Sequence, residues 1–339
     1  MNKILKNCAY MLLVAVTWGA GAVLADGDHS RRVRIDRDVD TFAVLPDGVR
    51  FPEGITANPA NGDIYVGTFD FGPNHNKLLR YDRHGRLLAQ LDFGGTPLLG
   101  LGFDSERNKV YILNFGTASV QRVPAAFNAN TKPEVVATAD GAGHALNALE
   151  FDSKGNLYVS DSFQGVIFRI ENVRDCNTPC AISPFVQDDL LKTTGFPPFG
   201  ANGLALSETL LFVANTGDDR VLKIDTDSKK VTVFTQSING ADGIVFDRNG
   251  LLWVAANQAD EVVALNDKGR VVAKLGEFRG INRNGTPDGL LFPASPVIVG
   301  NDIFVTNLAI FLTNPDLVGD EPEEDVRRWT ISRMKLPHH

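Results

Sequence analysis

Short apolar runs recur along the chain, each bounded by glycine, asparagine or aspartate, and no long stretch keeps a helical period. The runs are copies of one unit: a polar or small pair, an apolar strand, a tight turn, and a second apolar strand ending in Asn or Asp. The first copy is Glu53-Gly54-Ile55 followed by Asn61-Gly62-Asp63-Ile64-Tyr65-Val66, and the second is Leu99-Gly100-Leu101-Gly102-Phe103-Asp104 followed by Val110 to Asn114. Asn147-Ala148-Leu149-Glu150-Phe151-Asp152 with Leu157 to Asp161, Asn202-Gly203-Leu204-Ala205-Leu206 with Leu211 to Asn215, and Asp242-Gly243-Ile244-Val245-Phe246-Asp247 with Leu252 to Asn257 continue the series. A weaker sixth copy runs from Pro296 to Asn307. The spacing of about 40 to 55 residues is the length of a four-stranded propeller blade. The third and fourth strands are visible as Lys77 to Tyr81 with Leu87 to Leu91, and as Glu261 to Leu265 with Val271 to Leu275. Asn61-Gly62 and Asn249-Gly250 are tight-turn signals, because both residue types tolerate positive φ. The pattern predicts an all-β fold: a six-bladed β-propeller of four-stranded antiparallel blades. A propeller must close, and Thr41 to Leu45 is a strand candidate for completing the last blade, with Trp329 to Leu336 as another strand. Pro287-Asp288-Gly289 imitates the Asp242 motif, but Pro293 and Pro296 behind it argue against a central strand, so it reads as a loop.

The start of the chain is an address. Lys3 and Lys6 precede an apolar run from Ala9 to Trp18, and Val23-Leu24-Ala25 offers small residues for cleavage after Ala25. Residues 1–25 are expected to be a signal peptide and 26–339 a single propeller domain, periplasmic or secreted and without a membrane anchor once the leader is removed. With Cys8 lost, Cys176 and Cys180 remain, and in an oxidising compartment they are expected to form a local disulfide. The formal charge of −8 disfavours a nucleic-acid partner. A 43% apolar composition excludes global disorder. A closed propeller needs no partner at a free sheet edge, so a monomer is expected.

The repeat also places chemistry. In each copy the first strand lines the channel, so six equivalent positions ring one mouth: Glu53, Leu99, Asn147, Asn202, Asp242 and Pro296. Four carry oxygen, and two of those are carboxylates. Packing alone gives no reason for this, since the carboxylates would desolvate and repel each other unless a positive charge compensated them. Oxygen donors without thiolate favour a hard divalent cation, Ca²⁺ first, with Mg²⁺, Mn²⁺ or Zn²⁺ as the other ions. Asn114, Asp161, Asn215 and Asn307, at second-strand ends, read as turn-capping residues.

Pro52-Glu53-Gly54, Ala201-Asn202-Gly203-Leu204 and Ala241-Asp242-Gly243, with Asn147 ahead of Glu150-Phe151-Asp152-Ser153-Lys154-Gly155-Asn156, resemble the regucalcin/gluconolactonase family of β-propellers from about Phe51 to Leu312. The resemblance implies one metal at the channel mouth, held by Glu53, Asn202 and Asp242. Asn147 would be a ligand or a substrate contact, and Asp242 would also be the general base. The reaction implied is hydrolysis of a lactone or related ester. Sugar-lactone members carry an arginine two residues before the position of Asn147, whereas this chain has Ala145 there. The neighbouring His144 is a candidate substrate contact or a loop residue. Leu99, Phe196 and Phe199 point to a less polar substrate.

No Gly-x-Ser-x-Gly elbow, His-Glu-x-x-His motif or phosphate-cradling loop competes with this reading. Two other functions stay open: a non-enzymatic propeller that binds a ligand or protein, and a lyase or strictosidine-synthase-like propeller enzyme.

Overall fold

The computed structural model of the chain describes residues 32–72, 76–312 and 321–337, so the expected leader falls outside the described residues. Six four-stranded antiparallel sheets carry the repeat. Blade 1 is built from Pro52–Ala57, Ile64–Thr68, Asn76–Tyr81 and Leu87–Gly94, and blade 2 from Leu98–Asp104, Lys109–Asn114, Ser119–Pro124 and Glu134–Thr138. Blade 3 is Leu146–Phe151, Leu157–Asp161, Val166–Ile170 and Ser183–Gln187, and blade 4 is Ala201–Ser207, Leu210–Asn215, Arg220–Asp225 and Val231–Gln236. Blade 5 is Ala241–Phe246, Leu252–Ala256, Glu261–Leu265 and Val271–Leu275.

Blade 6 takes three strands from the C-terminal part, Pro293–Val299, Asp302–Asn307 and Thr330–Lys335, and its outermost strand, Asp40–Val44, from the start of the fold. The ring is thus closed by hydrogen bonds between the two ends of the chain, as the strand at Thr41 to Leu45 leads one to expect. Arg34–Asp36 escaped the sequence pattern: it lies parallel on Val271–Leu275 and adds a fifth, exposed edge to blade 5. It is too short to show a period.

Burial follows from stacking. The second strands Ile64–Thr68, Leu157–Asp161 and Leu252–Ala256 are buried at every position, because both their faces are covered by neighbouring blades. The outer strand Leu87–Gly94 is largely open to solvent. The hairpin turns use one device. Oδ1 of Asp152 accepts from the backbone N–H groups of Lys154 and Asn156, and Oδ1 of Asp247 does the same for Asn249 and Leu251. The positive φ of Gly250, +79°, closes the second of these turns.

A register shift recurs at the same point of every inner strand. Between Pro52 and Ile55, Leu98 and Leu101, Leu146 and Leu149, Ala201 and Leu204, Ala241 and Ile244, and Pro293 and Pro296, two residues face one on the second strand. The first bulged residue is Glu53, Leu99, Asn147, Asn202, Asp242 and, in blade 6, Ala294. This corrects the sequence register of the sixth copy, in which Pro296 was expected at the ring; Pro296 pairs with Val305, at the level of Ile55. The prolines are tolerated because an inner strand is the edge of its own sheet. Pro287–Gly289 is not a blade strand; it pairs with Phe278–Ile281 in a separate small hairpin.

The second bulged residue is small, for a steric reason. A Cβ on Gly54 would lie 2.1 Å from the carbonyl oxygen of Leu99, on Gly100 2.5 Å from that of Asn147, and on Gly203 2.3 Å from that of Asp242. Adjacent inner strands therefore approach through their backbones at the ring. Replacing Gly54 by alanine should destabilise the protein by roughly 2 kcal/mol or more, since backbone must move. Gly95→Ala, with nothing within 4 Å of its Cβ, should change stability by less than about 0.5 kcal/mol. Urea unfolding of the two variants makes the comparison, and equal stability would show that the close approach is not limiting.

Candidate functional site

The bulge turns four polar side chains towards one pocket of about 60 Å³ at the channel mouth, lined by Glu53, Asn147, Asn202 and Asp242 together with Leu99, Thr216 and Asn257. Apolar residues complete it: Phe69, Pro197, Phe199, Phe292, Leu308, Ile310 and Leu312. The four ring residues singled out in the sequence are thus brought together, and Leu99 takes the fifth place. Asn147 and Asn202 also line the channel cavity of about 400 Å³ beneath, so they form part of the floor between the two spaces.

Each polar ring residue of blades 3 to 5 is held by a side chain just past the end of its own second strand. Asn147 Nδ2 donates to Ser162 Oγ at 2.9 Å, Asn202 Nδ2 to Thr216 Oγ1 at 2.9 Å, and Asn257 Nδ2 to Asp242 Oδ2 at 3.0 Å. The hydroxyl hydrogens of Ser162 and Thr216 are already spent, donated to the backbone carbonyls of Ala201 and Ala241 in the next blade. Those hydroxyls have only lone pairs left to offer, so each asparagine must present its NH₂ group to them. Its carbonyl oxygen is the atom this bond leaves free, and the second hydrogen of Asn202 serves Asp242. Ser162, Thr216 and Asn257 were missed in the sequence, although aligning the copies one residue beyond Asp161, Asn215 and Ala256 places them together.

The carboxylates lack compensation. Glu53 Oε2 and Asp242 Oδ1 are buried without a hydrogen-bond partner. Burial, and then the neighbouring charge of Asp242, push the Glu53 carboxyl well above the usual range. Burial pushes Asp242 up to about 7, against the pull of hydrogen bonds from Asn257 and Asn202. Two carboxylates that resist ionisation together, beside two amide oxygens, form an all-oxygen donor set suited to a hard divalent cation. The orphaned oxygens are what such an ion would satisfy. Among the described residues no cluster of three His, Cys, Asp or Glu side chains exists, so the asparagines are needed to complete the set.

His144 is placed elsewhere. Its Nδ1 meets Asp161 Oδ2 at 2.6 Å and its Nε2 meets the Asp140 carbonyl oxygen at 2.9 Å, so both ring nitrogens are committed within the loop. It does not line the mouth pocket, and of its two sequence readings the loop residue is the one observed. Partial burial opposes its charge, but Asp161 and the Asp140 carbonyl outweigh that and raise its pKa. Asn114, Asp161, Asn215 and Asn307 accept backbone N–H groups from Thr117, Gln164, Asp218 and Leu291, the capping role expected of them. Cys176 and Cys180 are joined as a disulfide, with Cα atoms 5.6 Å apart.

Fold and ring together define a six-bladed propeller with an oxygen-lined mouth. No protein-family model and no curated protein sequence matches the chain. Solved structures do. A luciferin-regenerating enzyme superposes with a TM-score of 0.63 at 13% identity, over 87% of this chain and 94% of that one. Regucalcin from Agrobacterium tumefaciens, described as a calcium-binding protein, gives 0.61 at 16% identity, over 90% and 97%. Virginiamycin B lyase from Staphylococcus aureus gives 0.55 at 14%, over 88% and 99%. The fold is therefore a β-propeller shared with regucalcin and these other structures, as the repeat and the motifs at Glu53, Asn202 and Asp242 lead one to expect.

The raised carboxyl pKa values carry a sign. A folded-state pKa above the unfolded one means that the native protein holds the extra proton, so metal-free stability falls as pH climbs from about 4 to 7. Asp242→Asn should remove this penalty. In chelator-treated protein the variant should gain on the order of 2 kcal/mol over the parent at pH 8 and little at pH 4, read from urea unfolding at both values.

Proposed function

We propose that the protein is an exported, divalent-metal-dependent hydrolase of a lactone or related ester, with Ca²⁺ as the ion, acting as a monomer on a small molecule. The observation that carries this reading is the pair of buried, unpartnered oxygens, Glu53 Oε2 and Asp242 Oδ1, facing one pocket with two asparagine carbonyls. Glu53, Asn147, Asn202 and Asp242 would hold the ion, which supplies carbonyl polarisation and acidification of a water when bound.

The chain's own residues supply the rest. Asn257 fixes Asp242 through Oδ2, and the same carboxylate that would offer Oδ1 to the ion would take a proton from the attacking water and return it to the leaving oxygen. Ser162 and Thr216 fix the amide planes of Asn147 and Asn202, so the donor geometry is set before anything binds. The apolar walls keep bulk water from the reacting group and strengthen every electrostatic contact inside. No covalent nucleophile is required. Export is supported by the leader pattern at the start of the sequence and by the Cys176–Cys180 bond, which belongs to an oxidising compartment.

A lyase is the second reading, because one similar fold is a lyase. The histidine-to-alanine variant of that enzyme is described as catalytically inactive. Among the described residues no histidine lines the mouth pocket of this protein.

Elemental analysis after dialysis against mixed divalent ions should find about one equivalent in the parent and none in Asp242→Ala, with lactone and ester turnover lost in the same variant. A metal-free parent, or an active Asp242→Ala, would overturn the proposal. Thr216→Val keeps the side-chain shape but removes the acceptor that orients Asn202. It should weaken metal binding by about 10-fold or more by isothermal titration.

A further inference from the structure

The mouth pocket is too small for a whole substrate, and what surrounds it is aromatic. Phe69 on the pocket wall meets Phe71 edge-on at 4.8 Å and Phe115 at 5.4 Å. Phe115 meets Phe163 at 6.2 Å, and Phe163 meets Phe199, again on the pocket wall, at 5.3 Å. The rings form a continuous arc over blades 1 to 3 that begins and ends on the pocket.

These rings are not core residues that failed to bury. Among the described residues the strongly exposed phenylalanines are Phe71, Phe163, Phe196 and Phe311, at 64, 44, 61 and 51% exposure. Three of them are within two positions of a residue lining the mouth (Phe69, Pro197, and Ile310 with Leu312), and the fourth, Phe163, packs on Phe199 of the pocket wall. The other described phenylalanines are buried or half-buried, so the strongly exposed rings are concentrated at this end. Such a concentration marks a binding surface.

The polar groups of the pocket point the same way. The side-chain nitrogens of Asn147, Asn202 and Asn257 and the Thr216 hydroxyl hydrogen already have partners inside the protein. Among the described residues no lysine or arginine lines the pocket or the adjoining groove, which instead carries Asp260, Glu321 and Glu323. Along the arc a polyhydroxylated ligand would bury hydroxyls against phenylalanine, which offers them no strong partner, and an anionic one would meet carboxylates.

Resting on the hydrolase reading above, we infer that the substrate is a neutral, hydrophobic lactone or ester: its reacting carbonyl sits at the ring, and its alkyl or aryl arm lies along the arc of Phe71, Phe115 and Phe163. The same surface disfavours sugar lactones.

The test is a homologous series, γ-valerolactone to γ-dodecalactone, with D-glucono-δ-lactone beside it, assayed on Ca²⁺-loaded protein for turnover and by titration calorimetry for binding. Seven added methylenes, each partly buried, should raise kcat/KM by about 100-fold, with the sugar lactone the poorest substrate. Phe71→Ser and Phe163→Ser replace exposed rings, so the fold should survive, and each should flatten the chain-length dependence. Turnover that is flat with chain length, or fastest for the sugar lactone, overturns the inference while leaving the hydrolase intact. Absence of turnover with chain-length-dependent binding that the serine variants abolish would overturn the hydrolase and keep the hydrophobic ligand. Absence of any chain-length-dependent binding would overturn the inference outright.

Discussion

Everything at the mouth depends on how closely the inner strands approach. At the ring, the backbone of one blade runs so near the next that a Cβ on Gly54 or Gly203 would fall within 2.3 Å of a neighbouring carbonyl oxygen. Only a bulge, with a small second residue, lets the strands pass at that distance. The bulge in turn rotates the first residue out of the alternation of the strand and into the channel. Where the second residue does carry a Cβ, as at Ala148 and Ser295, the facing residue on the second strand is a hydroxyl. Ser160 and Thr306 accept the N–H of Ala148 and of Ser295, and donate to the Asn202 and Glu53 carbonyls of the next blade. Steric necessity and site geometry are one feature here.

The second determinant is the direction of hydrogen bonds. A serine or threonine hydroxyl has a single proton, and Ser162 and Thr216 give theirs to the next blade. That choice fixes which end of Asn147 and Asn202 faces the channel. Inter-blade cohesion and donor polarity are thereby coupled: the bonds that hold blades 3, 4 and 5 together also decide that the mouth presents oxygen. Blades 1, 2 and 6 place Phe69, Phe115 and Leu308 at the corresponding position and offer no such partner. Half of the ring wall is polar and half apolar, and Glu53 projects from the apolar half with Oε2 unsatisfied. A buried carboxylate without a partner is costly in a molecule that has no cation to offer it, and this is what the metal reading explains.

The balance at the mouth is between a small charged floor and a large apolar rim. On the proposed reading, the floor would confine the chemistry to a space for a reacting group, and the rim would select what is attached to that group. The disposition matches a chain that lacks an arginine at position 145 and carries Ala145 instead.

The sequence alone determined the repeat, and with it the six blades, the closing strand at Asp40–Val44, and the ring of Glu53, Asn147, Asn202 and Asp242. These are legible because each copy repeats one local pattern of apolar alternation and turn residues, and local chemistry does not depend on neighbours. Tertiary structure decided the rest. The sixth ring position moved from Pro296 to Ala294, because register across a bulge is set by pairing with the second strand. His144 went to its loop because Asp161, seventeen residues on, engages it through the folded blade. The roles of Ser162, Thr216 and Asn257, and the arc joining Phe71 to Phe163, arise from contacts between blades. Ser162, Thr216 and Asn257 do share one repeat position, but the aromatic arc joins residues that touch only after the ring has closed, and such contacts leave no periodic trace in the chain.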